Sequence, residues 1–172
     1  MANSTLISTL KRRMIDELIY DESFYYAINP PSISDVSEKD ELYGAYIFDY
    51  NKNPTTITDT REFITIMAST YKFGSGNSIY VKPKIDVYIY CHNDWMKVTN
   101  IKKIKANRLD YTSQLIDSKF NGITSFDRVK PVVNLLGELE LIENSEGTFS
   151  DKFQYRHMVF VTKDLNASLC QG

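Results

Sequence analysis

The sequence predicts an α+β fold, a mostly antiparallel β-sheet with an amphipathic helix packed on it and a second helix at the N-terminus. Three observations support this class: helical periodicity over about residues 107–121, strand-like segments on both sides of it, and a high content of Tyr and Phe. A helix laid on one face of a sheet is the simplest arrangement that buries the apolar surface of both elements.

The predicted central helix has a start, an apolar face and an end. Asn107 is a favourable N-cap residue, and Asp110 brings a carboxylate to the positive end of the helix. Gly122 marks the end, since Gly adopts a left-handed conformation at no steric cost. Residues at intervals of three and four form one apolar stripe: Leu109, Thr112, Leu115, Ile116 and Phe120.

Segments with strand character surround this helix. They are Tyr43 to Tyr50, Arg61 to Thr70, Ile79 to His92, Leu135 to Glu143 and Phe153 to Thr162. Acidic and aliphatic residues alternate over Gly137 to Glu143, which predicts one solvated and one buried face. Asn144 to Gly147 is a predicted turn, after which the chain is expected to pair back as a hairpin. Pro83 predicts an edge position or a bulge for its strand, because proline donates no ladder hydrogen bond.

The N-terminal region is expected to hold the second amphipathic helix, over Ser4 to Tyr20. The chain breaks at Asn29 to Pro31, and the polar stretch Ser32 to Glu41 predicts a surface loop with at most one helical turn. Because no repeat or linker divides the chain, we expect one domain over 1–172, with a sheet-plus-helix core over 43–163 and a loose tail over 164–172.

Composition excludes several classes of protein. The chain has 172 residues and a net charge of −2, without the basic excess typical of proteins that bind free nucleic acid. Its two cysteines, Cys91 and Cys170, suggest no disulfide framework and fit a reducing cytosol. No apolar run approaches the roughly 18 residues of a membrane span, so no membrane contact is expected.

No arrangement of residues predicts catalysis, a cofactor or a metal. His92 and His157 lie in strand-like segments without a Cys or acidic partner at ligand spacing. Neighbouring residues of Cys91 to Asp94 would point to opposite faces of a strand. The Gly74 to Gly76 loop lacks the Gly-Lys-Ser/Thr that completes a phosphate-binding loop, and it is expected to be a mobile hairpin tip. We therefore expect a protein that is not an enzyme.

The order of elements and two segments resemble one family of phage proteins. The first is the strand Tyr155-Arg156-His157-Met158-Val159-Phe160 with Asp164 after it, and the second is the helix over Arg108 to Phe120. Both are similar to features of the tail terminator, or tail completion, proteins of long-tailed bacteriophages and their neck relatives. The resemblance covers residues 4–165 and is carried by element order more than by invariant residues.

This resemblance implies a structural virion protein that forms a closed homo-oligomeric ring, commonly a hexamer, at the head–tail junction. The ring would cap the tail tube protein, meet neck and connector proteins on the portal side, and let DNA pass through its lumen without reading its sequence. Assembly would take place in the cytoplasm of the bacterial host. Two alternatives stay open: another neck component, such as a head-completion, stopper or adaptor protein, and a small enzyme with an unrecognised site.

The contacts of such a ring are expected at sheet edges, because exposed edges pair with other chains. The strand that carries Pro83 and the strand Phe153 to Thr162 are the predicted edges. Tyrosine suits an interface, although a rim of aromatic residues around a sheet core explains the 12 Tyr equally well. Lysines of one subunit would also face glutamates of the next. The predicted interface residues are Tyr88, Tyr90, Lys102, Lys103, Lys105, Glu138, Glu140 and Tyr155.

Overall fold

The computed structural model describes residues 3–72, 81–128, 130, 132–135 and 137–162. The helices are α1 (Asn3–Ile19), α2 (Glu22–Ile28) and α3 (Arg108–Phe120), and short 3₁₀ segments span Val36–Leu42, Pro54–Thr56 and Asn93–Trp95. The strands are β1 (Ile47–Phe48), β2 (Glu62–Lys72), β3 (Val81–His92), β4 (Ser125–Phe126), β5 (Val133–Asn134), β6 (Leu139–Thr148) and β7 (Phe153–Thr162). The predicted α+β class is confirmed. The Gly74 to Gly76 loop and the predicted tail over 164–172 lie outside the described residues.

The described strands form a main sheet in the order β1-β2-β3-β7-β6, and β4 pairs with β5 separately. In the main sheet β1 is parallel to β2, and the remaining neighbours are antiparallel. The two predicted edge positions are therefore wrong: β3, which carries Pro83, is central, and β7 lies between β3 and β6. Proline is accommodated because the β3–β7 ladder begins at Lys84, one residue beyond Pro83.

The predicted hairpin of β6 and β7 is confirmed, although its turn lies further along the chain than expected. The predicted turn at Asn144 to Gly147 is wrong, since these residues continue β6 to Thr148 and residues 149–152 form the connection. Asn144 to Gly147 are polar because β6 is an edge strand and its side chains are mostly exposed. A bulge between Leu141 and Glu143 interrupts the alternation and leaves Ile142 56% exposed.

The N-terminal helices follow the local signals in the sequence. The bounds of α1 lie within one residue of the predicted helix at each end. The next helix, α2, begins after Asp21, whose carboxylate accepts the Ser23 N–H (2.9 Å). It ends at Asn29, which adopts a left-handed φ of 49° ahead of Pro30.

The strand predicted over Tyr43 to Tyr50 is much shorter in the structure. Only the two residues of β1 pair with β2. The preceding residues turn instead, because Gly44 adopts a φ of 79° and the Tyr46 N–H donates to the Leu42 carbonyl (2.8 Å). Loose alternation in the sequence therefore overestimated the length of this strand.

The three helices share one hydrophobic core with one face of the sheet. The core includes Met14, Leu18, Phe24, Ile28, Ile64, Ile66, Val87, Ile89, Leu109, Ile116, Phe120, Met158 and Phe160. Of the apolar stripe predicted for the central helix, Leu109, Thr112, Ile116 and Phe120 are buried as expected, whereas Leu115 is only partly buried and is not part of this core. Within the described part of the chain, no helix combines the length and apolarity needed to cross a membrane.

The cap of α3 gives a first testable prediction. The Asn107 Oδ1 accepts the Asp110 N–H (2.8 Å), and the Asn107 Nδ2 donates to the Asp110 carboxylate (2.7 Å). Asn107→Ala removes both bonds, so we expect the free energy of unfolding to fall by about 1 kcal/mol. Urea denaturation measures this change, with Gln114→Ala on the exposed side of α3 as the control. Equal stability of the two variants would contradict the predicted role of the cap.

Candidate assembly interface

The face of the sheet opposite the helices is lined by aromatic side chains. Along β3, Val87 and Ile89 point into the core shared with the helices, so alternate residues such as Tyr88 point the other way. Antiparallel pairing with β7 adds aromatic residues from that strand to the same side. This aromatic face consists of Phe48, Phe63, Tyr88, Tyr90, Phe149, Phe153, Tyr155 and His157.

The structure brings three of the predicted interface residues together on the aromatic face. Tyr88 and Tyr155 are half-buried, with ring centroids 6.1 Å apart. Tyr90 stacks on Phe63 at 5.0 Å and is only 5% exposed. Burial raises the pKa of the Tyr90 phenol to about 12. Tyr88 and Tyr155 can therefore contact a partner, whereas Tyr90 supports them from within the sheet.

His157 is held on the aromatic face by three neighbours. Its ring stacks on Tyr88, with centroids 4.1 Å apart and an interplanar angle of 5°. Its Nε2 lies 2.8 Å from Asp86 Oδ1, and its Nδ1 lies 3.4 Å from Glu143 Oε1. Both ring nitrogens face carboxylates, which fixes the orientation of the ring on the aromatic face. These acids were not predicted from the sequence, because strand pairing, and not sequence spacing, brings them to the histidine.

Tyr155 is positioned by a glycine on the neighbouring edge strand. Gly147 is its register partner in β6, and a Cβ at that glycine would lie 2.7 Å from the Tyr155 hydroxyl oxygen. The ring thus occupies the space that a larger side chain would need. Beyond it, Phe149 is 41% exposed and lies 5.7 Å from the Tyr90 ring, which extends the aromatic face to the hairpin turn.

The predicted charged residues lie near the two ends of α3. Lys102, Lys103 and Lys105 are exposed in the loop that leads into the helix. Glu138 and Glu140 are exposed near its C-terminal end, where the chain beyond the helix hydrogen-bonds to the start of β6. Since a helix of 13 residues is about 20 Å long, the lysine group and the glutamate group are well separated in one subunit.

The burial of Arg108, the first residue of α3, was not predicted from the sequence. Arg108 is 1% exposed, and its guanidinium donates to three backbone carbonyls. These belong to Ala27 at the end of α2, to Trp95 (2.9 Å) and to Lys97 (3.2 Å). Desolvation lowers the pKa of Arg108 from its usual value. The side chain ties the first residue of α3 to α2 and to the loop that carries the exposed lysines.

A buried carboxyl group lies on the same side of the sheet. Glu62 is buried, and its Oε2 accepts the Thr112 hydroxyl (2.9 Å). Burial raises the pKa of Glu62 to about 8. Its effect outweighs the hydrogen bond from Thr112 and the positive charge of Arg108, both of which lower the pKa. The periodicity of the sequence could have revealed that Glu62 and Arg108 face the core. Glu62 lies on the same face of its strand as Ile64, and Arg108 lies one helical turn before Thr112.

The crowded segment Cys91 to Asp94 does not form a ligand set. Cys91 is buried in the core with the helices, and burial raises the pKa of its thiol. His92 lies against Phe153 on the opposite side, where its Nδ1 accepts the Asp94 N–H (3.2 Å). Among the residues that the structure describes, no three His, Cys, Asp or Glu side chains converge on a position suited to a metal ion.

Comparison with known proteins identifies a family. No curated protein matches the chain. The model of the YomW family matches residues 13–162, which is most of the chain. The name of this family is of phage origin and indicates a phage-associated protein. The chain therefore belongs to the YomW family.

Proposed function

We propose that the chain is a structural subunit of the phage virion, a tail terminator or neck protein that forms a closed ring at the head–tail junction. The ring, commonly of six copies, would cap the tail tube and let DNA pass. The observation that carries this proposal is the aromatic face, with half-buried Tyr88 and Tyr155 side by side in a phage-associated chain. Tyrosine offers an apolar ring and a polar hydroxyl together, which suits contacts between subunits.

Side chains, and not sheet edges, are the better candidates for the ring contact. A closed ring needs two different surfaces that meet head to tail. At one edge of the described sheet β1 is two residues long, and its own chain flanks it: Tyr43 bridges Ile47, and the Gly44 N–H donates to the Ile47 carbonyl (2.9 Å). A head-to-tail ring built by edge pairing needs two long edge strands in each subunit, and the described sheet has one, β6.

The charged groups at the two ends of α3 are suitable for a head-to-tail contact. Lys102, Lys103 and Lys105 of one subunit would meet Glu138 and Glu140 of the next. Exposed ion pairs of this kind contribute only ~0–1 kcal/mol each. The aromatic face must therefore provide most of the affinity, and the charges set the orientation of neighbouring subunits.

The proposal predicts that Tyr88→Asp abolishes ring formation. An added carboxylate would lie beside Asp86 in the contact, and the stack on His157 would be lost. We expect at least a tenfold loss of assembled particles in native mass spectrometry or negative-stain images. Tyr20→Asp, at an exposed tyrosine beyond α1, is the matched control and should assemble normally, as should Lys103→Ala.

Circular dichroism and a thermal melt establish that each variant is folded. Intact rings of folded Tyr88→Asp would contradict the assignment of the aromatic face. If the wild type forms no ring at any concentration, with or without tail tube protein, the ring function itself is wrong. Binding of the rings to tail tube protein supports a terminator, whereas binding to portal-side proteins alone supports a head-completion or stopper role.

A further inference from the structure

We propose that the free edge of β6 is a second interaction surface, to which a second copy of this chain adds its own β6 in antiparallel orientation. This contact would join the two sheets about a two-fold axis. It uses backbone groups at the sheet edge and, of the aromatic face, only Phe149 at the hairpin turn, so it does not involve Tyr88 or Tyr155.

The first part of β6 is covered by its own chain. The Leu139 N–H donates to the Ile123 carbonyl (2.8 Å), and the Leu139 carbonyl accepts the Gly122 N–H (2.7 Å). The Leu141 N–H donates to the Asn121 Oδ1 (3.1 Å). The loop after α3 therefore occupies the edge as far as the bulge.

Among the described residues, no strand covers the second part of β6. From Glu143 to Thr148 the strand pairs with β7 on one side, and no described strand lies on the other. Alternate residues of an edge strand direct their N–H and C=O groups outward, where another strand can pair with them. Six residues form a strand segment of ordinary length for such pairing.

One of the two acids on the open segment has a basic partner in its own subunit. Glu146 lies 3.0 Å from Arg156, whose guanidinium also pairs with Asp110 and donates to Asn144 (3.2 Å). Glu143 lies 3.4 Å from the His157 ring. Exposed acids on an edge strand repel a strand that places acids opposite them, so a partner must pair in a register that keeps its acids away from these two.

The open segment is complementary to itself. In a two-fold register centred on Ser145, Glu143 faces Gly147 of the second copy, and Asn144 faces Glu146, so no acid opposes an acid. Both ends of the segment also carry exposed apolar residues, Ile142 at 56% and Phe149 at 41%. In this register Ile142 of each copy lies at the same end of the pairing as Thr148 and Phe149 of the other. A second copy of the chain is therefore the partner that this edge fits.

Disulfide cross-linking tests the register directly. Ser145→Cys, in a Cys170→Ser background, places two thiols opposite each other on the axis, and directly opposed residues have Cβ atoms about 4.5–5.5 Å apart, near disulfide range. Ser118→Cys on the exposed side of α3 is the matched control. Under mild oxidation we expect the Ser145→Cys dimer to form at least tenfold faster than the control dimer. Equal rates would overturn the proposal.

A second measurement does not require a new thiol. Ile142→Asp removes the apolar end contact, and we expect it to weaken dimerisation at least tenfold in sedimentation equilibrium, while circular dichroism stays unchanged. Tyr88→Asp should leave the Ser145→Cys cross-link intact. If rings form but the cross-link does not, the β6 contact is refuted and the ring proposal stands. If the cross-link forms but rings do not, the ring proposal is refuted and the β6 contact stands.

Discussion

Arg108→Ala is expected to lower the free energy of unfolding by about 3–5 kcal/mol. The guanidinium is buried and satisfies the carbonyls of Ala27, Trp95 and Lys97. Without it, three acceptors lose their donor, one at the end of α2 and two in the loop before α3, and each buried group left without a partner costs about 1–3 kcal/mol. Urea denaturation followed by circular dichroism measures the loss.

One variant separates the hydrogen bonding of Arg108 from its charge, and a second serves as the control. Arg108→Lys keeps the charge but not the planar set of donors, so we expect an intermediate loss of stability. Arg128→Ala is the matched control, since this arginine is half-exposed and pairs with Asp21 at 3.1 Å on the surface. We expect the control to lose at most about 1 kcal/mol. A loss for Arg108→Ala as small as that of the control would show that Arg108 does not hold α3 to α2.

The stability of the protein is expected to depend on the protonation of Glu62. Burial raises the pKa of this carboxyl from 4.5 to about 8. Between these values the unfolded chain is ionised while the folded chain keeps its proton. The contribution of Glu62 to stability is therefore fully present below pH 4.5 and is lost as pH rises through about 8. The loss amounts to at most about 1.4 kcal/mol per pH unit in this window.

Glu62→Gln tests this dependence, because the amide does not titrate and its oxygen can still accept the Thr112 hydroxyl. We expect the stability of the variant relative to the wild type to rise with pH between 4.5 and about 8, as measured by urea denaturation at several pH values. Glu41→Gln, at an exposed position, is the control and should show no such trend. A difference between Glu62→Gln and the wild type that does not change with pH would contradict the shifted pKa.

The sequence determined the elements whose signals are local. The cap at Asn107, the apolar stripe of α3 and the left-handed Gly122 lie within one continuous segment, and their hydrogen bonds and periodicity act over a few residues. The pairing of β6 with β7 was also predictable, because the two strands are separated by a short connection. Strand parity likewise placed Tyr88 and Tyr90 on one face of β3.

Only the tertiary structure decided which strands lie at the edges and which side chains are buried. Pro83 indicated an edge, yet β3 is central because the proline falls just outside the β3–β7 ladder. Pairing between distant strands brought Asp86 and Glu143 to His157 and placed Tyr90 beneath its neighbours. Local periodicity records which way a side chain points along its own element, whereas burial and strand order depend on contacts between residues far apart in the chain.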